Sequence, residues 1–284
     1  MRILLFLATN LAIMVLVSLI FTVFGIGGIL ADNGIDLNLP GLLIFCGLYG
    51  MGLSLFSLLF SKGAAKRGTG TQIIETARNQ DEKWLLDTVQ SLAANVGIGM
   101  PEVGVFPSDA ANAFATGWNR NNALVAVSTG LLRRFDKDEV RAVLAHEIGH
   151  YRLGHIPKRL LLSFIMGTLV FWLISTCLQS KWIYEGLGLE VTLVGSLSSL
   201  LVGLSMTLGA LGYWFSPLSN QLSRKHEYEA DEFAKNAVGT SASLVSALRK
   251  LHVENLSFPF PHSLISTFHH SHPTLMERER ALLK

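Results

Sequence analysis

His146, Glu147 and His150 stand in the order H-E-x-x-H, within the stretch Ala145-His146-Glu147-Ile148-Gly149-His150. On an α-helix, four residues bring the side chain back to within about 40° of its starting direction, so both imidazoles leave one face, with Glu147 within about 100° of each. That face carries two nitrogen ligands and a carboxylate. Zinc held by two imidazoles keeps a position for water, and a carboxylate that does not bind the metal can take the water's proton. This is chemistry suited to hydrolysing an amide. The same five residues also occur as a plain charged helix turn, so the surrounding sequence must decide.

The elements needed to hold such a site are readable. Asp136 with Glu139 makes a capping-box pattern, and Val140, Val143, Leu144 and Ile148 supply an apolar helical face. A third ligand is required. The metzincin spacing would place glycine at 153 and histidine at 156, where this chain has Leu153 and Ile156, which excludes that class. His155 misses by one position and reads as an interfacial polar residue. The other solution is a glutamate on a separate helix, and Ser223-Arg224-Lys225-His226-Glu227-Tyr228-Glu229-Ala230-Asp231 supplies one, continuing to about Val238. Glu227 and Asp231 share a face, while Glu229 lies about 200° around the helix from Glu227. Glu227 is expected as the third ligand, and Asp231 as the acceptor that holds a ligand imidazole in its tautomer. A solvated, salt-bridged helix face is the alternative for this stretch.

Composition sets the compartment. Of the 284 residues, 50% are hydrophobic and only 15% charged, against about 25% charged in soluble domains. This is the profile of a membrane protein. A formal net charge of +2 and the lack of a basic stripe with interleaved aromatics argue against nucleic acid as a partner. Cys46 and Cys177 both fall in apolar runs, reading as lipid-facing or packed thiols rather than a disulfide or a zinc pair.

Apolar runs from Ile3 to about Leu30, Leu42 to Phe60, Leu160 to Leu178 and Val191 to Phe215 give about four transmembrane helices. The first exceeds the 7 to 15 residues of a signal h-region, the competing reading. The last two could also form a buried or interfacial hairpin. Arg2, the Lys62/Lys66/Arg67 cluster, Lys158/Arg159 and Arg224/Lys225 place the intervening soluble parts on the cytoplasmic side. The expected organisation is an N-terminal transmembrane hairpin over 1–62, the first half of a catalytic domain over 63–158, a second hairpin over 159–217, and the second catalytic half over 218–284. The hairpin between His150 and Glu227 returns the chain to the same side of the membrane. Within the first half, Asp81 to about Ala94 reads as an amphipathic helix, and Glu102 to Phe106, Asn112 to Thr116 and Ala123 to Thr129 as strands. The fold class is therefore an α+β membrane protein, mostly helical, with a small sheet beside a zincin-type active-site helix. The strand bearing Asn112, Ala113, Phe114 and Ala115 is a candidate to bind an extended substrate along its edge; a plain structural strand is the equal alternative.

Taken together, the N-terminal M-R-I-L-L-F-L-A-T-N, the strand N-A-F-A-T-G, the pair H-E-I-G-H and E-Y-E-A-D, and Ser271-His272-Pro273 with Arg278 make the chain resemble the HtpX-like membrane zinc metalloproteases, relatives of the CAAX prenyl proteases, over nearly its full length. The resemblance implies an integral endopeptidase of the bacterial inner membrane, facing the cytoplasm and acting on damaged or misfolded membrane proteins. It implies one zinc per chain on His146, His150 and Glu227, with Glu147 as catalytic base. The charged turn Tyr228-Glu229 departs from the family pattern. Of the histidines at 262, 269, 270 and 272, only His272 sits in a family-like H-P-x-x-x-x-R pattern. It is a candidate oxyanion donor, with a capping or packing role as the alternative. Arg278 reads as a salt-bridge anchor for the C-terminal segment. The competing functional class is a membrane scaffold or regulator with a non-catalytic zinc site, against which stands the count of three ligands. A transporter is disfavoured because the runs lack paired ionisable residues near their centres. Substrate preference and oligomeric state are not encoded in any motif.

Overall fold

The computed structural model describes residues 59–119, 122–178, 193–254 and 270–284, together with residues 23, 52 and 56. The first expected span, nearly all of the second, and His262 and His269 lie outside the described residues. The chain divides into two compact units, Met1–Phe56 with Leu160–Ser216, and Ser57–Arg159 with Pro217–Lys284.

In the second unit a four-stranded sheet comprises β1 (Gln72–Ile73), β2 (Glu102–Phe106), β3 (Ala113–Asn119) and β4 (Asn122–Ser128), in the order β1-β2-β4-β3. β4 pairs parallel with β2, Val103 opposite Val125, and antiparallel with β3, Ala115 opposite Val125. Its run Leu124-Val125-Ala126-Val127 is buried throughout, as befits a central strand covered on both faces. β3 is the edge. Gly117, paired with Ala123 beside a register irregularity in the β3–β4 ladder, has a φ of +141°, and a Cβ there would stand 2.2 Å from Asn122 O. A side chain there would break the hairpin.

Helix α1 (Gln80–Asn95), capped by Asn79, packs Leu85, Val89 and Leu92 into the core. The short α2 (Thr129–Arg134) follows β4 directly, with Ser128 Oγ accepting from Leu131 N–H. α3 (Lys137–Arg152) carries the H-E-x-x-H residues, and both halves of the expected capping box form between Asp136 and Glu139. α6 (Ala242–Glu254) covers α3 with Leu244 and Leu248, and the C-terminal α7 (Leu275–Leu282) begins at its own capping box, Thr274 with Glu277.

Two long helices belong to both units. α4 (His155–Leu178) begins three residues after α3 ends, and α5 (Leu193–Val238) runs 46 residues with Pro217 inside it. The expected third and fourth spans are thus helical where described, and the helix of Glu227 continues the fourth without a break. Among the described residues, no helix is long and apolar enough to cross a membrane.

Candidate metal centre

The centre forms where α3 meets the C-terminal part of α5. Val140, Leu144 and Ile148 bury the core face of α3, which fixes the helix's rotation and turns His146, Glu147 and His150 toward a cavity of about 590 Å³. Gly149 sets the approach of the second helix. A Cβ at this position would lie 2.9 Å from Phe233 Cδ1 and 3.4 Å from Ala230 Cα, so the bare backbone lets α5 come in against α3.

That approach delivers Glu227. His146 Nε2 lies 3.1 Å from His150 Nε2 and 3.5 Å from Glu227 Oε2, and His150 Nε2 lies 3.4 Å from Glu227 Oε1. A tetrahedral divalent ion with ligands at 2.0–2.1 Å requires donors about 3.3–3.4 Å apart. The two imidazole nitrogens and the two Glu227 carboxylate oxygens therefore stand close to the separations such an ion's donors require. Among the described residues, these three side chains form one of two groups whose donors lie within 4.8 Å of one another.

Around the donors sits a charged frame. Asp231 Oδ1 faces His146 Nδ1 at 2.9 Å, so the Nδ1 proton goes to Asp231 and Nε2 is left with its lone pair. Arg278 grips Asp231 with two nitrogens, at 2.7 and 2.5 Å, and places Nη1 3.4 Å from Glu227 Oε2. Burial disfavours the protonated His146 ring, but the hydrogen bonds to Asp231 and Glu227 outweigh it and raise the pKa to about 9. Burial would also raise Glu227, yet His146, His150 and Arg278 hold it well below the usual carboxylate range. Seating a metal on His146 is coupled to release of that ring's proton.

Glu147 points away from this frame, toward the sheet. Its Oε2 accepts from Ala115 N–H at 3.1 Å, and burial raises its carboxyl pKa despite the neighbouring imidazoles. The edge strand β3 thus runs past the catalytic candidate. Asn112, Ala113 and Ala115 line the cavity, whereas Phe114, on the alternate face, packs against Phe106 with ring centroids 5.5 Å apart. Of the four residues expected on the substrate strand, Asn112, Ala113 and Ala115 line the cavity and Phe114 does not.

His272 reaches the cavity from the C-terminal segment, its Nε2 3.4 Å from Glu227 Oε1 and its side chain 61% exposed. Arg278 anchors that segment as expected, but its partners are the site's own carboxylates. His155 differs from its sequence reading. It is 1% exposed rather than interfacial, and touches His150 on one side and Glu229 on the other. Sequence spacing gave no signal of this, because Glu229 lies 74 residues further along the chain.

A family model described as "Peptidase family M48" matches residues 79–284. The chain is 48% identical over 259 residues to a "Protease HtpX" of Pseudomonas putida (strain GB-1), covering 89% of this chain and 84% of that one. It is 44% identical over 300 aligned positions to a "Protease HtpX" of Pseudomonas fluorescens (strain Pf0-1), covering 99% and 98%. Among solved structures, Ste24p of S. mikatae is similar with a TM-score of 0.68 at 24% identity, covering 95% of this chain and 66% of that chain. That likeness concerns the fold.

Proposed function

This chain belongs to peptidase family M48 and is a metalloendopeptidase, and we propose that it is a zinc enzyme of the bacterial inner membrane that cleaves misfolded or damaged membrane proteins on the cytoplasmic side. The observation that carries the reading is the mutual spacing of His146, His150 and Glu227, at 3.1 to 3.5 Å. Two imidazoles and one carboxylate are a zinc donor set, and three protein ligands leave a position for reaction.

Zinc held by His146, His150 and Glu227 would lower the pKa of a water and polarise the scissile carbonyl. The chain's own residues do the rest. Asp231 keeps the His146 lone pair on Nε2, and Arg278 offsets the two carboxylates beneath. Glu147, with Oε2 held by Ala115, takes the water's proton through Oε1 and returns it to the leaving nitrogen. An extended peptide adds to the edge of β3, where the antiparallel pairing turns the N–H and carbonyl of Ala113 and the carbonyl of Ala115 outward, the Ala115 N–H being held by Glu147. His272 Nε2 stands on the exposed side of the donors, where it can donate to the developing oxyanion.

Placement at a bilayer rests on α3 leading within three residues into α4, whose stretch from Leu160 is apolar and preceded by Lys158 and Arg159. About four spans, in two hairpins, follow from the apolar runs of the sequence. Detergent-purified chain loaded with one equivalent of zinc should cut an unfolded polypeptide such as casein, lose this on chelation and regain it with zinc. A chain that stays inert with zinc fully bound would remove the proposal in favour of a non-catalytic site.

A further inference from the structure

Beside the three donors lies a second cluster, His155, His226 and Glu229, with donor atoms also within 4.8 Å of one another. Its local origin is clear. Gly154, at φ +71°, makes the left-handed turn that swings His155 back onto the end of α3, while Glu229, two residues beyond Glu227, leaves α5 on another side. His155 Nδ1 is 2.9 Å from His150 Nδ1, and His155 Nε2 is 2.9 Å from Glu229 Oε2. His226 stacks on the His155 ring at 4.0 Å with planes 8° apart.

Building on the zinc reading above, we propose that Glu229 and His155 are positioning residues, forming a hydrogen-bonded chain Glu229–His155–His150 that fixes the tautomer and ring orientation in which His150 offers Nε2 to the metal. Proton placement supports it. His150 Nε2 is the nitrogen turned to Glu227 and His146, so it carries the lone pair and Nδ1 carries the proton. That proton goes to His155 Nδ1. A neutral His155 then holds its own proton on Nε2, where it is donated to Glu229. Each hydrogen lies between one donor and one acceptor, and the two ligand histidines become matched: Asp231 serves His146 directly, and Glu229 serves His150 through one imidazole.

The same placement disfavours a second metal in the cluster. Ligation through His155 Nε2 would move that ring's proton to Nδ1, setting two N–H groups against each other at the 2.9 Å contact with His150. Ligation through Nδ1 would take the lone pair that receives the His150 proton. The parallel stack also runs the in-plane lone pairs of His155 and His226 side by side instead of converging them.

The test measures zinc stoichiometry and affinity, by chelator competition on the full detergent-purified chain, with cobalt absorption as a second readout. His155→Phe keeps the ring and its stacking but loses both hydrogen bonds. It should bind zinc about ten- to hundredfold more weakly and alter the cobalt d–d bands. Glu229→Ala should weaken binding in the same direction, and Glu229→Gln, which still accepts from His155 Nε2–H, should recover much of the loss. Since the Glu229 side chain is 35% exposed, that pair of variants carries the test if His155→Phe does not fold. Wild-type chain that binds no zinc would remove the underlying reading. Wild-type affinity retained within twofold in His155→Phe and Glu229→Ala, or two zinc ions per wild-type chain, would overturn the positioning chain alone.

Discussion

Arg278 is the residue whose removal the geometry prices most directly. It is the cation between Asp231 and Glu227, whose side chains are 2% and 6% exposed, and its own side chain is 12% exposed. Arg278→Ala would leave two buried carboxylates facing one another with the His146 ring between them. Breaking a buried ion pair from one side costs about 3–5 kcal/mol, and no discount for solvent applies at this depth. At roughly 2–4 °C per kcal/mol for a chain near this size, melting of the zinc-free protein should fall by some 6–20 °C. Arg278→Lys keeps the charge but loses the two-pronged grip on Asp231, and should fall by a smaller amount. Zinc adds two positive charges beside Glu227, so the deficit of Arg278→Ala should narrow in the zinc-loaded state. The assay is thermal unfolding of detergent-purified protein, with chelator and with zinc. A variant that melts with wild type when zinc-free would refute the reasoning, since Asp231 and Glu227 would then be balanced by some other group.

Three further outcomes follow from the same geometry. Gly149→Val should push Phe233 away from α3 and separate His150 from Glu227, lowering stability by about 1–3 kcal/mol and weakening zinc binding; unchanged affinity would show that the 2.9 Å clearance does not set the helix approach. Glu139 is held on α6 by Ser246 Oγ at 2.6 Å and Lys250 Nζ at 2.5 Å; burial would raise its pKa, but these contacts and the capping-box N–H lower it overall. A depressed folded-state pKa means stability that is full above the unfolded value of 4.5 and lost as pH falls through the folded one, so the stability difference between wild type and Glu139→Gln should shrink below about pH 4.5; a difference independent of pH between 3 and 6 would contradict it. Ala113→Pro removes an outward N–H of the edge strand without touching the β4 ladder, and should raise KM by about two- to tenfold, the worth of one hydrogen bond, while melting stays near wild type; an unchanged KM would place the substrate elsewhere.

What the sequence disclosed follows from which interactions are local. α3 was legible because its capping box and apolar face lie within the helix itself. β2 and β4 were legible as short apolar runs, and β3 extends past the expected strand to Asn119 because its hairpin with β4 pairs that far. Glu227 and Asp231 could be assigned a common face from helical rotation alone. Other features depend on partners distant in the chain. β1 is two residues long and exists by pairing with β2, which leaves no periodicity to read. His155 looked like an ordinary interfacial histidine because the turn at Gly154 and the arrival of Glu229 decide its surroundings. Arg278 was recognisable as an anchor from its place after His272-Pro273, but spacing could not name Asp231 and Glu227 as the groups it grips. The boundary expected at 217 falls inside α5, which continues past Pro217 although proline donates no ladder hydrogen bond, and the chain's two compact units divide at the same point, between Ser216 and Pro217.

Glu147→Gln separates the two proposed roles, proton transfer by Glu147 and metal holding by His146, His150 and Glu227. Gln is nearly isosteric, and its side-chain oxygen can still accept from Ala115 N–H. Zinc content and peptide cleavage should be measured together on one preparation. One zinc per chain is expected, as in wild type, with cleavage lower by about 10²–10⁴-fold. Cleavage at the wild-type rate in zinc-loaded Glu147→Gln would contradict these roles.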